Sequence, residues 1–401
     1  MSYRYALFLA LCCWVVGLPA SAWSQAAQPS SPPTPIAFER AVLQAANELF
    51  SKIDLVGAPE KVKLVIDPLI DSASGAQSRA TRLEGRMIAD LVRRSYPRFE
   101  VVPFTAANVR DTPFVLIGTL THLNNAGVPG GRRDAYRVWL TLMDLKADKI
   151  VGKSQSRALP QGVDPTPTTF FAESPLFSRD PATEAYIQTC HATKVGDPIP
   201  REYAEHVAVA ARTNEATEAY NAGNFESSLA MFEDAQVMSG GEQLRVLTGV
   251  YLANAKLDRK EPAAQAFAKV VDFGLQRGSL ATKFLFRKGT TQFVAAQTSR
   301  PYQMWLEQIA ARTASSNQCL QVVGHTSATG TVAFNDRLSV QRADAILGRL
   351  KRAEPKLGDK VTTKGVGSRE MIVGNGRDDT SDALDRRVEF KVTECAALQR
   401  G

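Results

Sequence analysis

The side chains best suited to holding a ligand lie in one stretch near the end of the 401-residue chain. A β-type run ends at Gly324 and passes into a polar loop, and an amphipathic helix begins soon after it. The stretch contains His325, Thr326, Ser327, Asn335 and Arg342. Hydroxyl and amide groups bind polar ligands through hydrogen bonds, and a guanidinium pairs with a carboxylate through two parallel hydrogen bonds. The chemistry that these types predict is recognition of a polar ligand.

Residue patterns elsewhere in the chain give no support for an enzyme. The four histidines are His122, His191, His206 and His325, and none has the His-Glu-x-x-His spacing of a zinc site. No Gly-x-Ser-x-Gly segment is present, and the segment around Gly152 has Ala147 where a phosphate-binding loop needs its first glycine. We therefore predict no enzymatic activity, no cofactor and no metal.

A sheet and two helices must position the candidate ligand-binding residues. Residues 281–395 predict a βαβαββ order, with a helix at 302–313, a strand at 319–323, a helix at 335–352 and a last strand at 388–392. In open sheets with helices, ligands gather at the carboxyl ends of strands, which is where residues 325–327 would lie. We expect Arg342 on a different face of its helix from the apolar residues, turned toward this loop.

Residues 281–395 resemble the C-terminal peptidoglycan-binding domain of the OmpA family. The matching segments are residues 322–330, residues 335–343 with a Leu-Ser-x-x-Arg-Ala pattern, and residues 385–392. The resemblance implies that the ligand is peptidoglycan, held by the diaminopimelate of its stem peptide, and that Arg342 pairs with a diaminopimelate carboxylate. The remaining implied site residues are Ser327, Thr326, His325, Asn335 and Arg387.

One position departs from the family pattern. Ser327 stands where the family has the aspartate of Gly-His-Thr-Asp, which pairs with the ligand's ammonium group. A serine hydroxyl brings no charge, and a charged hydrogen bond exceeds a neutral one by roughly 1 kcal/mol, or about fivefold in affinity. Asp336 could compensate. Peptidoglycan binding that is weakened, altered or lost therefore stays open beside ordinary binding.

The implied site residues also have structural roles open to them. Asn335 has a residue type that commonly caps the start of a helix. His325 is more typical of a residue that fixes a loop than of a catalyst. Arg387 has Glu389 and Asp385 close by in sequence as ion-pair partners.

The first 35 residues predict an export signal and a tether. Arg4 precedes an apolar run from Ala6 to Leu18 and a small-residue segment ending at Ala22, which is the order of a secretory signal peptide over residues 1–22. The apolar run is too short to span a bilayer. Residues 23–35 are rich in proline and serine and predict an extended tether.

Three cysteines stay in the chain once the signal peptide is removed: Cys190, Cys319 and Cys395. An odd number leaves at least one unpaired or paired between chains. The OmpA resemblance implies that the strands near Cys319 and Cys395 are antiparallel neighbours, and we expect a disulfide between these two in an oxidising periplasm. Two small buried side chains are the alternative.

Residues 36–160 predict a mixed α/β sandwich with helices on one face of a sheet. Strands are expected at 62–68, 99–102, 114–123, 135–144 and 150–157, and helices at 37–53 and 79–94. The strand ending at Leu69, the helix up to Arg94 and the strands at 115–120 and 136–140 resemble periplasmic domains of the FlgO/LpoB family. Such domains bind protein partners, including cell-wall synthases.

Residues 161–202 are rich in Pro, Thr, Asp and Ser and predict a connector. Residues 203–278 predict helices that resemble tetratricopeptide repeats, with Gly223 in a tight turn, Phe225 at the start of the second helix and Ser228 at a close packing position. A second copy is offset by about 36 residues, near the repeat's usual period. A plain helical spacer and a partner-binding groove both fit this pattern.

Together these features predict a multidomain α+β protein of the cell envelope of a Gram-negative bacterium, without enzymatic activity. It would be periplasmic, associated with the wall or the outer membrane, and would anchor to peptidoglycan while its upstream domains bind envelope proteins. The alternative is a periplasmic scaffold or assembly factor whose OmpA-like domain has lost or altered peptidoglycan binding. The net charge of +7 suits an anionic surface. Without a dense basic run, nucleic acid is not expected as a partner.

Overall fold

The computed structural model describes residues 34–55, 57, 59–129, 133–176, 179–280, 282–295, 299–372 and 384–395. The predicted signal peptide and all but the last two residues of the tether lie outside these ranges. Among the helices in the described ranges, none has both the length and the apolar character needed to cross a membrane.

The first sheet is built from residues 62–158 and has six strands. The elements in this region are α1 (Phe38–Phe50), β1 (Val62–Ile66), β2 (Ile70–Asp71), α2 (Arg79–Ser95), β3 (Phe99–Val101), α3 (Ala106–Asp111), β4 (Phe114–Leu123), β5 (Ala135–Asp144) and β6 (Lys149–Ala158). The strand order is β3-β1-β4-β5-β6, with β2 beside β4. The first three strands of this order are parallel and the last three antiparallel. The expected strands are all present, with limits that differ by at most a few residues.

Both faces of this sheet are buried, whereas the sequence predicted helices on one face. Leu64 and Leu116 point to α1 and α2, while their neighbours Val65 and Val115 point to the opposite face. All ten positions of β4 are buried. The expectation of one covered face was wrong because α3, together with helices beyond residue 160, covers the second face.

The second layer continues in residues 161–202, the predicted connector. This segment contains α4 (Thr169–Glu173), α5 (Pro181–Ala192) and α6 (Arg201–Ala204). Helix α5 starts with Asp180, whose side chain accepts a hydrogen bond from the Thr183 amide, and with a proline at its first position. Cys190 of α5 is fully buried against the sheet, and burial raises the pKa of its thiol to about 12. The segment predicted as a connector therefore contains helices that pack on the sheet, which its composition did not indicate.

Four helices form two antiparallel hairpins after this layer. They are α7 (Val207–Asn221), α8 (Phe225–Val237), α9 (Leu244–Lys256) and α10 (Lys260–Gln276). Gly223 has φ +82°, which allows the tight turn between α7 and α8. Ser228 is fully buried and donates to the carbonyl of Ala216 at 2.9 Å, so the first two helices approach closely.

The second sheet has four strands, and the same region contains two long helices. The elements are β7 (Ser279–Leu280), α11 (Tyr302–Ser315), β8 (Gln318–Gly324), α12 (Val332–Ala353), a 3-10 turn (Pro355–Leu357), β9 (Val361–Gly365) and β10 (Val388–Glu394). The strand order is β7-β10-β8-β9, with β8 and β9 parallel and β10 antiparallel to both β7 and β8. The described elements follow the βαβαββ order.

A disulfide joins Cys319 and Cys395, 76 residues apart. Cys319 lies near the start of β8, opposite Thr393 of the antiparallel strand β10. One apolar core continues from the helical hairpins into the second sheet, and Phe267 of α10 stacks on Trp305 of α11 with ring centroids 5.6 Å apart. Residues on both sides of the predicted domain boundaries at residues 160, 202 and 281 pack together. The boundaries therefore stay predictions.

Candidate ligand-binding site

The candidate site is built at the carboxyl end of β8, where the strand meets α12. A Cβ at Gly324 would lie 1.9 Å from the Ser339 carbonyl oxygen, so only glycine permits this close approach of strand and helix. The loop after β8 is held by the loops after β9 and before β10. The Thr326 amide donates to the Gly367 carbonyl at 2.9 Å, and the His325 amide donates to the Arg387 carbonyl at 2.9 Å.

Arg342 lies at the centre of this arrangement and is fully buried. Its Nη1 donates to the carbonyl of His325 at 2.9 Å, its Nε to that of Thr290 at 3.0 Å and its Nη2 to that of Arg287 at 3.2 Å. The guanidinium carbon lies 5.2 Å from the centre of the Phe286 ring. Arg342 therefore connects the loop after β8 to residues 286–290.

This position differs from the one expected for Arg342. The helical repeat places it one turn after Leu338 and one turn before Ile346, so it shares the buried face of α12 with them. It does reach the loop, but as a donor to backbone carbonyls. The sequence did not indicate that residues 286–290 would supply acceptors; Phe284 and Phe286, both fully buried, were the only signal that this segment packs inward.

Three of the predicted residues line the inside of the loop. Thr326, Ser327 and Asn335 are all nearly inaccessible. Ser327 Oγ lies 3.1 Å from Thr329 Oγ1, and Asn335 Nδ2 donates to the Thr329 carbonyl at 3.2 Å. The hydroxyl of Thr326 is buried and has no hydrogen-bond partner among the described residues. Asn335 thus fixes the loop, and Thr331 rather than Asn335 caps α12, by accepting from the Phe334 amide at 3.2 Å.

His325 and Arg387 meet at Glu389, which the sequence indicated as an ion-pair partner of Arg387 but not as a site residue. His325 Nε2 lies 2.8 Å and Arg387 Nη2 lies 3.4 Å from Glu389 Oε1. Burial by itself raises the pKa of Glu389, but its contacts with His325 and Arg387 outweigh this and lower it to about 2. Burial also lowers the pKa of His325 and that of Arg387. The signal in the sequence was the charged residue between two inward-facing apolar residues of β10.

His325, Glu370 and Glu389 have the donor types of a metal site, and their ligand atoms lie within 4.8 Å of one another. Both carboxylates, however, already have cationic neighbours. Arg387 lies beside Glu389, and Lys391 Nζ lies 3.6 Å from Glu370. Because these side chains already supply the positive charge, the cluster is best described as an ion-pair network that runs from the buried His325 to the exposed Glu370.

Asp336, considered as a replacement for the missing aspartate at Ser327, pairs with another residue. Its carboxylate lies 2.8 Å from the Arg369 guanidinium on the loop after β9. Both side chains are about half exposed, so the pair is reachable by solvent. The loop therefore has no carboxylate at Ser327, and the nearest candidate on α12 already has a partner.

Comparisons with known proteins give partial likenesses. No family model and no curated protein matches the chain. The peptidoglycan-associated lipoprotein of Burkholderia pseudomallei is 24% identical over 28% of this chain and 89% of its own, with a TM-score of 0.25. The periplasmic domain of Helicobacter pylori MotB is 18% identical over 28% and 69%, with a TM-score of 0.23. The OmpA-like domain of FopA1 from Francisella tularensis is 21% identical over 28% and 74%, with a TM-score of 0.22.

Proposed function

We propose that this chain is a non-enzymatic cell-envelope protein of the periplasm whose C-terminal OmpA-like domain contacts peptidoglycan through the loop after β8. The observation that supports this most is the meeting of three sequence segments at one edge of the second sheet. His325 lies on the first, Arg342 on the second and Arg387 on the third, and direct hydrogen bonds join the first to both others. In this proposal the two upstream regions offer surfaces to envelope proteins.

The loop after β8 would contact peptidoglycan through hydrogen bonds and not through ion pairs. Ser327 can offer only a hydroxyl, and the guanidinium of Arg342 already donates to three carbonyls. A carboxylate of the stem peptide would have to displace residues 287–290 to reach Arg342. Binding would therefore be weaker than in a domain with an aspartate at this position, by about fivefold for the charge alone.

The buried state of Arg342 favours a second candidate function, a periplasmic scaffold or assembly factor. In that case the arginine would serve to hold the fold, and the domain would make protein contacts. The two candidates differ in whether the purified protein binds the wall.

The test is co-sedimentation of the mature protein with insoluble sacculi that contain diaminopimelate. Ser327→Asp adds the missing charge, and Ser327→Asn is its matched control, with similar shape and no charge. Urea unfolding of each variant checks that it is folded. We expect wild type to sediment, Ser327→Asp to bind about fivefold more tightly and Ser327→Asn to match wild type.

Other outcomes would change the assignment. If wild type and Ser327→Asn stay in solution while Ser327→Asp sediments, the domain has kept the geometry for binding peptidoglycan but no longer binds it. The function should then be assigned as a periplasmic scaffold and not as a wall anchor. If no variant sediments, the loop after β8 does not contact the wall, and again the scaffold is the better description.

A further inference from the structure

A second candidate binding site lies where three parts of the chain meet. A cavity of about 810 Å³ is enclosed by the end of α4, the turn between α9 and α10, and the start of α11. These parts belong to the predicted connector, the helical hairpins and the OmpA-like region. The cavity therefore exists only because the three pack against one another, and it shares no lining residue with the loop after β8.

The floor of the cavity is rigid and aromatic. Trp305 Nε1 donates to the hydroxyl of Tyr251 at 2.7 Å, and the hydroxyl of Tyr302 accepts from the Leu285 amide at 3.2 Å. Rings of Tyr302 and Trp305 lie 5.0 Å apart between centroids. The polar atoms of these rings bond within the protein and the rings are almost wholly buried, so they support the floor from beneath. The apolar surface that a ligand can reach on the floor comes from Leu285, Pro301 and Met304, which are partly exposed.

The walls of the cavity carry excess positive charge. The cations are Lys256, Arg259, Lys260, Lys283 and Arg300, against the two carboxylates of Glu173 and Asp258. Glu173 is already neutralised, because Lys256 Nζ lies 2.6 Å from it. Buried Lys283 donates to the Phe171 carbonyl at 3.2 Å and so ties α4 to the second sheet. The exposed side chains of Arg259, Lys260 and Arg300 have no ion-pair partner among the described residues.

We propose that this cavity binds an acidic peptide segment of a partner protein, with carboxylates on the three exposed cations and an apolar side chain on the floor. Its volume is that of a typical ligand pocket of roughly 300–1,000 Å³, larger than an inorganic anion needs. Sugar rings stack on exposed aromatic faces, but Tyr251, Tyr302 and Trp305 are each at most 4% exposed. A peptide with alternating carboxylates and apolar groups matches the walls and the floor better than a glycan.

The experiment measures fluorescence anisotropy of a labelled hexapeptide, with three glutamates and one phenylalanine, mixed with the full mature protein. The matching peptide with glutamines in place of glutamates is the charge control. The variant that removes the three exposed cations of the cavity, called the groove variant below, is Arg259→Gln/Lys260→Gln/Arg300→Gln. Its matched control, Arg277→Gln/Lys351→Gln/Arg352→Gln, removes the same charges from exposed positions that do not line the cavity.

We expect the acidic peptide to bind wild type and the control variant equally, to bind the groove variant about tenfold more weakly, and to dissociate as salt is raised. Ala255→Glu, which adds a carboxylate to the lining of the cavity, should also weaken binding. Equal binding to the groove variant and the control variant would overturn the proposal. So would the absence of binding to wild type at low salt, or displacement of the acidic peptide by a soluble muropeptide as effectively as by itself.

Discussion

Both sheets of this protein bury ionisable side chains, but these are paired in their charged forms at the second sheet, whereas burial favours the neutral form at the first. At the second sheet, Arg342 has three carbonyl acceptors, and Glu389 has two cationic neighbours. At the first sheet, Glu84 of α2 is fully buried, and neither carboxylate oxygen has a hydrogen-bond partner in the part of the chain that the structure describes. The second sheet thus keeps its charges and pairs them, and the first sheet neutralises them.

This difference predicts opposite responses to pH. Burial raises the pKa of Glu84 to about 8, and burial raises that of Asp67 to about 7 although the Tyr203 hydroxyl donates to it at 2.8 Å. A carboxyl group whose pKa is higher in the folded state than in the unfolded state stabilises the folded protein at low pH. This contribution is lost as pH rises through the folded-state pKa. Glu389, with its lowered pKa, favours the folded state at higher pH. The first sheet should therefore lose stability as pH rises from about 5 to 8, and the second as pH falls below about 4.5.

The largest expected effect is that of Arg342→Ala. The substitution leaves the buried His325 carbonyl and the partly buried Thr290 and Arg287 carbonyls without their donor. A hydrogen bond from a charged group contributes about 1.5–3 kcal/mol when buried and less when partly exposed, so we expect a loss of about 4 kcal/mol in the free energy of unfolding. Urea unfolding measures it. Arg337→Ala, at an exposed position of the same helix, should change stability by less than about 0.5 kcal/mol. Similar stability of the two variants would mean that Arg342 is not held as described.

Glu84→Gln tests the neutralised side of the comparison. Wild type should lose stability as pH rises from about 5 to 8, at no more than about 1.4 kcal/mol per pH unit, because the buried carboxyl resists losing its proton. The amide cannot ionise, so the variant should show a flatter profile and be about 3 kcal/mol more stable relative to wild type at pH 8 than at pH 5. Urea midpoints across this range measure the change. Parallel profiles for the two proteins would show that Glu84 is ionised in the folded state.

Glu389→Gln tests the paired side and should give the smallest effect. The lowered pKa contributes stability above the ordinary value of 4.5, and this is lost as pH falls toward 2. At neutral pH we expect the variant to be about 2 kcal/mol less stable than wild type, with the difference closing in acid. Thermal unfolding at several pH values between neutral and strongly acidic measures it. A constant difference at all pH values would point to a packing effect instead.

The sequence was most informative where a pattern repeats locally. Alternation located the strands of the first sheet, and helical spacing located α2 and α12, because each depends only on which residues face the core. The same reasoning missed the second layer over the first sheet, although β4, with apolar residues on both faces, was the sign that one was needed. It also missed the environment of Arg342, since its acceptors are backbone carbonyls, which no residue type reveals.

The second layer over the first sheet has a consequence for how the protein is made. The apolar face that includes Val65 and Val115 is covered by Tyr203 and Val207, which come far later in the chain. A chain that emerges N-terminus first must therefore wait, with β4 already synthesised, before this region can close. During that interval one face of the sheet is covered and the other exposes apolar side chains. Newly made chains would therefore depend on a chaperone or on rapid elongation to reach the folded state.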